Sequence, residues 1–163
     1  MPLFGANRYR EQYATFGWRV IADDDADYQG PLAGIVRILE HADTPYVLIV
    51  PCDTPFLPDS LVQRLAEALY VSGCDAAAAR SADGVQPLCV LLSRRVAPNL
   101  RDYLTTGGRK AADWLAQLKL AIVDFSESPG AFYNINTPHE LSAAGVVANQ
   151  AQPMGIEHVG DGL

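Results

Sequence analysis

Positive charge is scarce in this chain. Twelve lysines and arginines face 19 aspartates and glutamates, which leaves a net charge of -7 over 163 residues. A nucleic-acid or anionic-membrane binder needs an excess of Lys and Arg against the phosphates, so no nucleic acid and no membrane is expected among the partners. A single nucleoside triphosphate stays open, because it needs only a few local donors and a metal ion. Cysteine is also scarce. Cys52, Cys74 and Cys89 are odd in number and widely spaced, with no Cys-x-x-Cys pair, so neither a zinc site nor a disulfide framework is indicated. Three reduced, largely buried thiols in a cytoplasmic protein are expected. No stretch approaches the ~18 apolar residues of a membrane span, and the opening MPLFGANRYR lacks the basic-then-apolar layout of a signal peptide. Gly-x-Ser-x-Gly and Gly-x-x-x-x-Gly-Lys are missing, so nucleophilic catalysis has no support. His41, His139 and His158 show no metal-ligand spacing.

What is present reads as one globular unit. Hydrophobic residues make up 49% and charged residues 19% of the chain, and a chain this long buries roughly 70% of its unfolded surface. Residues 1–150 are expected as one domain and 151–163, with glycines on either side of Asp161, as a frayed tail. Trp18 to Ala22 reads as a short strand. Gly30-Pro31 opens a helix to about Ala42, with Leu32, Ile35, Val36 and Leu39 at helical spacing. Tyr46 to Val50, apolar and bounded by Pro45 and Pro51, predicts a strand buried on both faces. A helix follows from Pro58 or Asp59 to Gly73, carrying Leu61, Leu65 and Leu69. Asp75 to Ala79 and Gln86 to Leu92 read as strands about a turn at Asp83-Gly84. Asn99 to Leu104 and Ala111 to Leu118 read as helices, Leu120 to Phe125 as a strand, and Pro138 to about Asn149 as a last helix. The alternation predicts an α/β three-layer fold with a mostly parallel sheet and one antiparallel pair.

In open α/β sheets ligands bind beyond the carboxyl ends of the strands. Asp23 and Asp53 fall there. A carboxylate at a strand end suits Mg²⁺, which takes one or two carboxylates plus phosphate oxygens; Asp-Thr-Pro is equally good turn chemistry, and Asp23 sits among three consecutive aspartates that read as a solvated loop. Gln29 to Gly34 holds a glycine and a proline at a helix start. That suits either an anion or base at the free N–H groups, or plain helix-start punctuation. Gly34 inside the helix costs roughly 1 kcal/mol relative to Ala, which calls for a close approach by a ligand or another backbone. In Asn134-Ile135-Asn136-Thr137-Pro138, Thr137 caps and Pro138 begins a helix. Two asparagines on one side of an extended segment remain, to bind a ligand or close a loop. Arg109-Lys110 after Gly107-Gly108 is the only concentrated positive charge beside a glycine turn, placed for a phosphate or for solvent.

Taken in order, Gly5-Ala6-Asn7-Arg8, Val20 to Asp23, Asp27 to Gly34, Pro51 to Pro55, Gln86-Pro87-Leu88, Gly108-Arg109-Lys110 and Asn134 to Pro138 resemble the molybdenum-cofactor guanylyltransferase family. The resemblance runs to about Leu141. It implies a Rossmann-like nucleotidyltransferase fold and transfer of GMP from GTP to molybdopterin with release of pyrophosphate. It implies Mg²⁺ as cofactor, GTP and molybdopterin as substrates, and molybdoenzymes or cofactor-pathway proteins as partners. By motif, Asp53 becomes the catalytic metal ligand. Asp23, Gly30, Pro31, Leu32, Gly34 and Asp53 fall to the nucleotide, and Arg109, Lys110, Asn134 and Asn136 to the pterin substrate. The family opens with a strand and a glycine-rich phosphate loop that these 163 residues do not contain, and Gly5 stands where it often has a polar residue. That strand is expected between the one at Leu3 and the one at Tyr46, and turnover by 1–163 alone is expected to be low. A cytidylyl- or sugar-phosphate relative, and a non-catalytic molybdopterin-binding module, are the alternatives.

Overall fold

The computed structural model describes residues 3–5, 19–21, 30–135 and 137. The expected helix from Pro138 and the tail 151–163 lie outside them. β1 (Leu3–Gly5) and β2 (Arg19–Ile21) form a two-stranded parallel sheet. Then come α1 (Pro31–His41), β3 (Tyr46–Ile49), α2 (Leu61–Ser72), β4 (Ala76–Ser81) and β5 (Gly84–Ser93). A 3₁₀ turn (Arg94–Val96) leads into α3 (Ala97–Thr105), followed by α4 (Ala111–Leu115) and β6 (Leu120–Asp124). The second sheet has the order β3-β5-β4-β6. β5 runs antiparallel to both neighbours while β4 and β6 are parallel, so β3, β4 and β6 point one way and only β5 is reversed.

Two cores form because side chains alternate across the sheet. Ala76, Ala78, Val90 and Leu92 face α1, α3 and α4, meeting Leu32, Leu39, Leu100 and Trp114. Ala77, Ala79, Cys89 and Leu91 face α2, meeting Leu61, Leu65, Leu69, Phe125 and Phe132. The four alanines of β4 are wholly buried. Alanine has low strand propensity, but a strand covered on both faces gains its stability from burial, and small side chains let helices approach from both sides. α2 stops at Gly73, whose φ of 62° returns its N–H to the Leu69 carbonyl at 2.9 Å, the left-handed cap that glycine adopts without penalty.

Two expectations need correction. β3 is not buried on both faces: Tyr46 is 49% exposed and Val50 beyond its end is 42% exposed. The strand pairs with β5 alone among the described residues, so it is the edge of the four-stranded sheet. The division into two sheets falls where the family resemblance puts a further strand. The second correction concerns Gly34, where a Cβ would meet nothing within 4 Å, so no described backbone approaches it. No helix among the described residues is long and apolar enough to cross a membrane.

Leu92, fully buried at the centre of the sheet, tests this layering. Leu92→Ala is expected to lower unfolding free energy by about 2–5 kcal/mol. Tyr70→Ser, on the outer face of α2 where the ring is 92% exposed, is expected to change it by less than about 0.5 kcal/mol, both read by urea denaturation.

Candidate active site

β3 delivers the chain to the carboxyl ends of the parallel strands and stops at Pro51, which has no N–H to continue a ladder. The turn that follows is tied by Thr54, a buried hydroxyl donating to the Pro51 carbonyl at 3.0 Å. The turn role that Asp53 was weighed for therefore falls to its neighbour. Asp53 is half-buried, its carbonyl accepts from the Ile135 amide at 2.7 Å, and its carboxylate makes no hydrogen bond or ion pair among the described residues. A fixed backbone with an uncommitted carboxylate is the arrangement a metal ligand needs.

A bulge in β5 shapes the surroundings. Pairing with β4 jumps from Ala78↔Val90 to Ala79↔Gln86, which leaves Pro87, Leu88 and Cys89 without ladder partners on β4. Proline inside a central strand is tolerated only where the ladder opens. The bulge lies level with the end of β3, since Val90 also pairs with Ile49. Cys89, 2% exposed, sits within reach of the Asp53 charge. Burial first, and then the Asp53 carboxylate, push its thiol up to about 11.

The other expected site residues are distributed as follows. Gly30 is the N-cap of α1 with a φ of 96° and Pro31 follows in the first turn, so this helix start depends on glycine geometry. No side chain among the described residues caps it, which leaves N–H groups that a ligand could take. Leu32 is 1% exposed and packs in the core, so only its main chain can meet a nucleotide. The Arg109 guanidinium turns back onto the Leu104 and Gly108 carbonyls at 2.9 and 2.6 Å, closing the end of α3. Lys110 is exposed, and its carbonyl accepts from Trp114 N at 3.1 Å and from the Tyr103 hydroxyl at 3.1 Å. A Cβ on Gly108 would stand 2.3 Å from the Tyr103 ring, so a larger residue there would displace that ring from the turn presenting Arg109 and Lys110. Asn134 is exposed and next in sequence to the residue bonded to Asp53. No hydrogen bond among the described residues joins Gly30, Gly34, Arg109 or Lys110 to Asp53. Asp23 and Asn136 lie outside the described residues.

The sequence did not single out Thr54, Cys89 or the Ile135 amide. The bulge that brings Cys89 to Asp53 had a signal in Pro87, a proline inside an apolar run. The described residues gather no group of three His, Cys, Asp or Glu side chains suited to a metal ion. A cation at Asp53 would draw its remaining oxygens from substrate phosphates and water, which is how Mg²⁺ is ordinarily held.

This fold and site define a class, the α/β nucleotidyltransferases, and residues 3–122 match the MobA-like NTP transferase domain. A molybdenum cofactor guanylyltransferase from Shewanella sediminis is 40% identical over 138 residues, 85% of this chain and 70% of that protein. The chain belongs to the molybdenum cofactor guanylyltransferase family. Among solved structures, molybdopterin-guanine dinucleotide biosynthesis protein A from Archaeoglobus fulgidus superposes with a TM-score of 0.71 at 23% identity, covering 91% of this chain and 78% of that one. A 4-diphosphocytidyl-2C-methyl-D-erythritol synthase from Anaerococcus prevotii gives 0.68 at 11% identity, covering 90% and 78%. Both show the fold. Nucleotidyltransferases of this kind typically use a divalent metal.

The expectation of largely buried thiols holds for Cys89 alone: Cys74 is intermediate, and Cys52, in the turn after β3, is exposed, so the three report on this geometry. Iodoacetamide at pH 8 is expected to label Cys52 first, Cys74 more slowly and Cys89 only on unfolding, as read by peptide mass spectrometry. Because the fold favours the neutral Cys89 thiol, the stability it contributes is present below its ordinary value of 9.0 and is lost as pH rises towards about 11. Cys89→Ala should flatten that alkaline decline.

Proposed function

We propose that this chain transfers GMP from GTP to molybdopterin, with the Asp53 carboxylate as the residue that would hold the Mg²⁺ ion accompanying the nucleotide. The observation that carries this reading is the Asp53 turn. Its backbone is fixed by Thr54 and Ile135, while its carboxylate, at the carboxyl end of β3, makes no hydrogen bond or ion pair among the described residues. In the transfer, an oxygen of the terminal pterin phosphate forms a bond to the α-phosphorus of GTP as the bond to the β-phosphate oxygen breaks, releasing pyrophosphate. Bound at Asp53, Mg²⁺ would offset negative charge on the reacting phosphates. The protein supplies alignment and charge rather than a covalent nucleophile.

The remaining roles follow from placement. The start of α1 offers the N–H groups of Gly30 and Leu32 to the nucleotide, with Pro31, which has no N–H, fixing the first turn, and Gly34 keeps one side of that turn open. Asp23 would join the nucleotide side. Asn134, with Asn136, would present amides to the pterin beside Asp53, and Lys110 would bring an exposed ammonium to the acceptor phosphate. Arg109 would meet the same phosphate only by leaving the carbonyls that now hold it. GTP supply and free thiols suit the cytoplasm.

Asp53→Asn keeps the size of the side chain and removes the charge. It is expected to lower Mg²⁺-dependent GMP transfer about 100-fold or more, since a metal supplies several kcal/mol of charge stabilisation and each 1.36 kcal/mol is tenfold. Thermal stability should be unchanged. Near-normal transfer would show Asp53 to be a turn residue only. Competition between GTP and CTP for metal-dependent binding separates guanylyl from cytidylyl transfer, and calorimetric binding of molybdopterin without any nucleotide binding would favour a non-catalytic module.

A further inference from the structure

Arg64 of α2 lies at the margin of the helix face formed by Leu61, Leu65 and Leu69, and its guanidinium is used three times on one short stretch of chain. Its carbon stands 4.0 Å over the centroid of the Phe125 ring. Nη2 donates to the carbonyl of Asp124, the last residue of β6, and Nη1 donates to the Glu127 carboxylate. The guanidinium holds the Glu127 carboxyl below its ordinary range. Phe125, fully buried, meets Phe132 edge to face with centroids 5.9 Å apart. Three residues further on, Ile135 gives its amide to the Asp53 carbonyl.

The segment 125–135 contains neither helix nor strand. Its internal order is a few turn bonds, from Ser128 N to Phe125 O, Ala131 N to Ser128 O and Tyr133 N to Gly130 O. Its position against the sheet is therefore set at its two ends and by the two phenylalanines. At the β6 end the Phe125 amide donates to the Arg80 carbonyl at 2.8 Å and Ser126 N and Oγ donate to the Asp124 carboxylate, and Arg64 adds the fastening that comes from α2. A partly exposed ion pair contributes little to global stability, and a cation over an aromatic face contributes about 0.5–1 kcal/mol at exposed sites. The contacts of Arg64 with Phe125, the Asp124 carbonyl and Glu127 all fall where the chain leaves β6.

We propose that Arg64 is a positioning residue for the phosphate-transfer site, setting where Ile135 and Asn134 stand against Asp53 by clamping the exit of β6. The inference rests on the reading of Asp53 as the metal carboxylate. Lysine is a poor substitute, because a point charge cannot lie over the Phe125 ring and fork to two oxygens together.

Amide hydrogen exchange and metal-dependent nucleotide binding test it, with Mn²⁺ and GTP as probes on wild type, Arg64→Met, Arg64→Lys and Asp53→Asn. In Arg64→Met the Ile135 amide is expected to exchange at least about tenfold faster while the Ala77 and Ala78 amides of β4 keep wild-type protection. Mn²⁺-dependent GTP binding should weaken about tenfold, as misplacement of a site group does, with partial recovery in Arg64→Lys. Unchanged Ile135 protection in Arg64→Met would overturn the proposal, as would lost protection with wild-type Mn²⁺-GTP affinity. Loss of β4 protection in step with Ile135 would also overturn it, by making Arg64 a residue of general stability. If Asp53→Asn binds Mn²⁺-GTP as wild type does, the reading of Asp53 fails, and the exchange result alone decides whether Arg64 holds the segment.

Discussion

Pro87 has no N–H to give, and the carboxyl end of the sheet is arranged around that fact. A central strand with every other backbone group paired must open at the proline, and β5 does so by a register jump against β4 that sets three residues outside the ladder. The opening comes where β3 has just ended at Ile49 and the chain turns through Pro51 to Asp53. Two prolines on neighbouring strands thus interrupt backbone pairing at the same level. Cys89 enters the α2-side core within reach of the Asp53 charge, and the returning segment at Ile135 takes up the Asp53 carbonyl. The site is a planned gap in hydrogen bonding, covered from below by apolar packing.

Elements marked by local chemistry were legible from the residues, and features depending on distant partners were not. The helix from Pro31 to His41 follows from a proline start and leucines at helical spacing, and the β4–β5 hairpin from Asp83-Gly84. Even the alanine strand was recoverable, because Gly73 and Gly84 bound it. β3 was read as buried on both faces because an apolar run reports the character of its own side chains and not the number of its neighbours; its outer edge leaves Tyr46 half in solvent. At the site, Asp53 stood out as a charge directly after an apolar strand. The Ile135 amide could not stand out, since every non-proline residue has one. Arg64 reaches Asp124 and Glu127 across some sixty positions, and nothing local in an arginine on a helix names such partners. Asp23 and Asn136, legible by motif, lie outside the described residues.

A strongly acidic chain that handles two polyanionic substrates poses an electrostatic question of its own. With a net charge of -7, the general field repels phosphates at long range, so binding has to come from short-range devices less screened by salt. The structure offers such devices at separate places: an uncapped helix start at Gly30, the exposed ammonium of Lys110 and a carboxylate suited to a divalent cation. Only the last can invert the local sign of charge without changing the composition of the surface. The acidic composition therefore fits the proposed recognition of phosphate through a metal and a helix dipole.

Asp53 also shows why the main chain and side chain of one residue are best given separate work. A carboxylate that caps its own turn must break that bond to take a metal, and the cost recurs with every ligand. Here the Thr54 hydroxyl closes the turn and the Ile135 amide fixes the Asp53 carbonyl, and among the described residues the carboxylate has no hydrogen bond or ion pair to break. In the proposed metal role, that reorganisation would be completed in folding, which is what electrostatic preorganisation means in structural terms. The same division explains the reach of the site beyond its obvious residues. If Asp53 holds the metal as proposed, then whatever places Ile135 against its carbonyl, from the Phe125–Phe132 contact back to the guanidinium on α2, belongs to the geometry of that ligand.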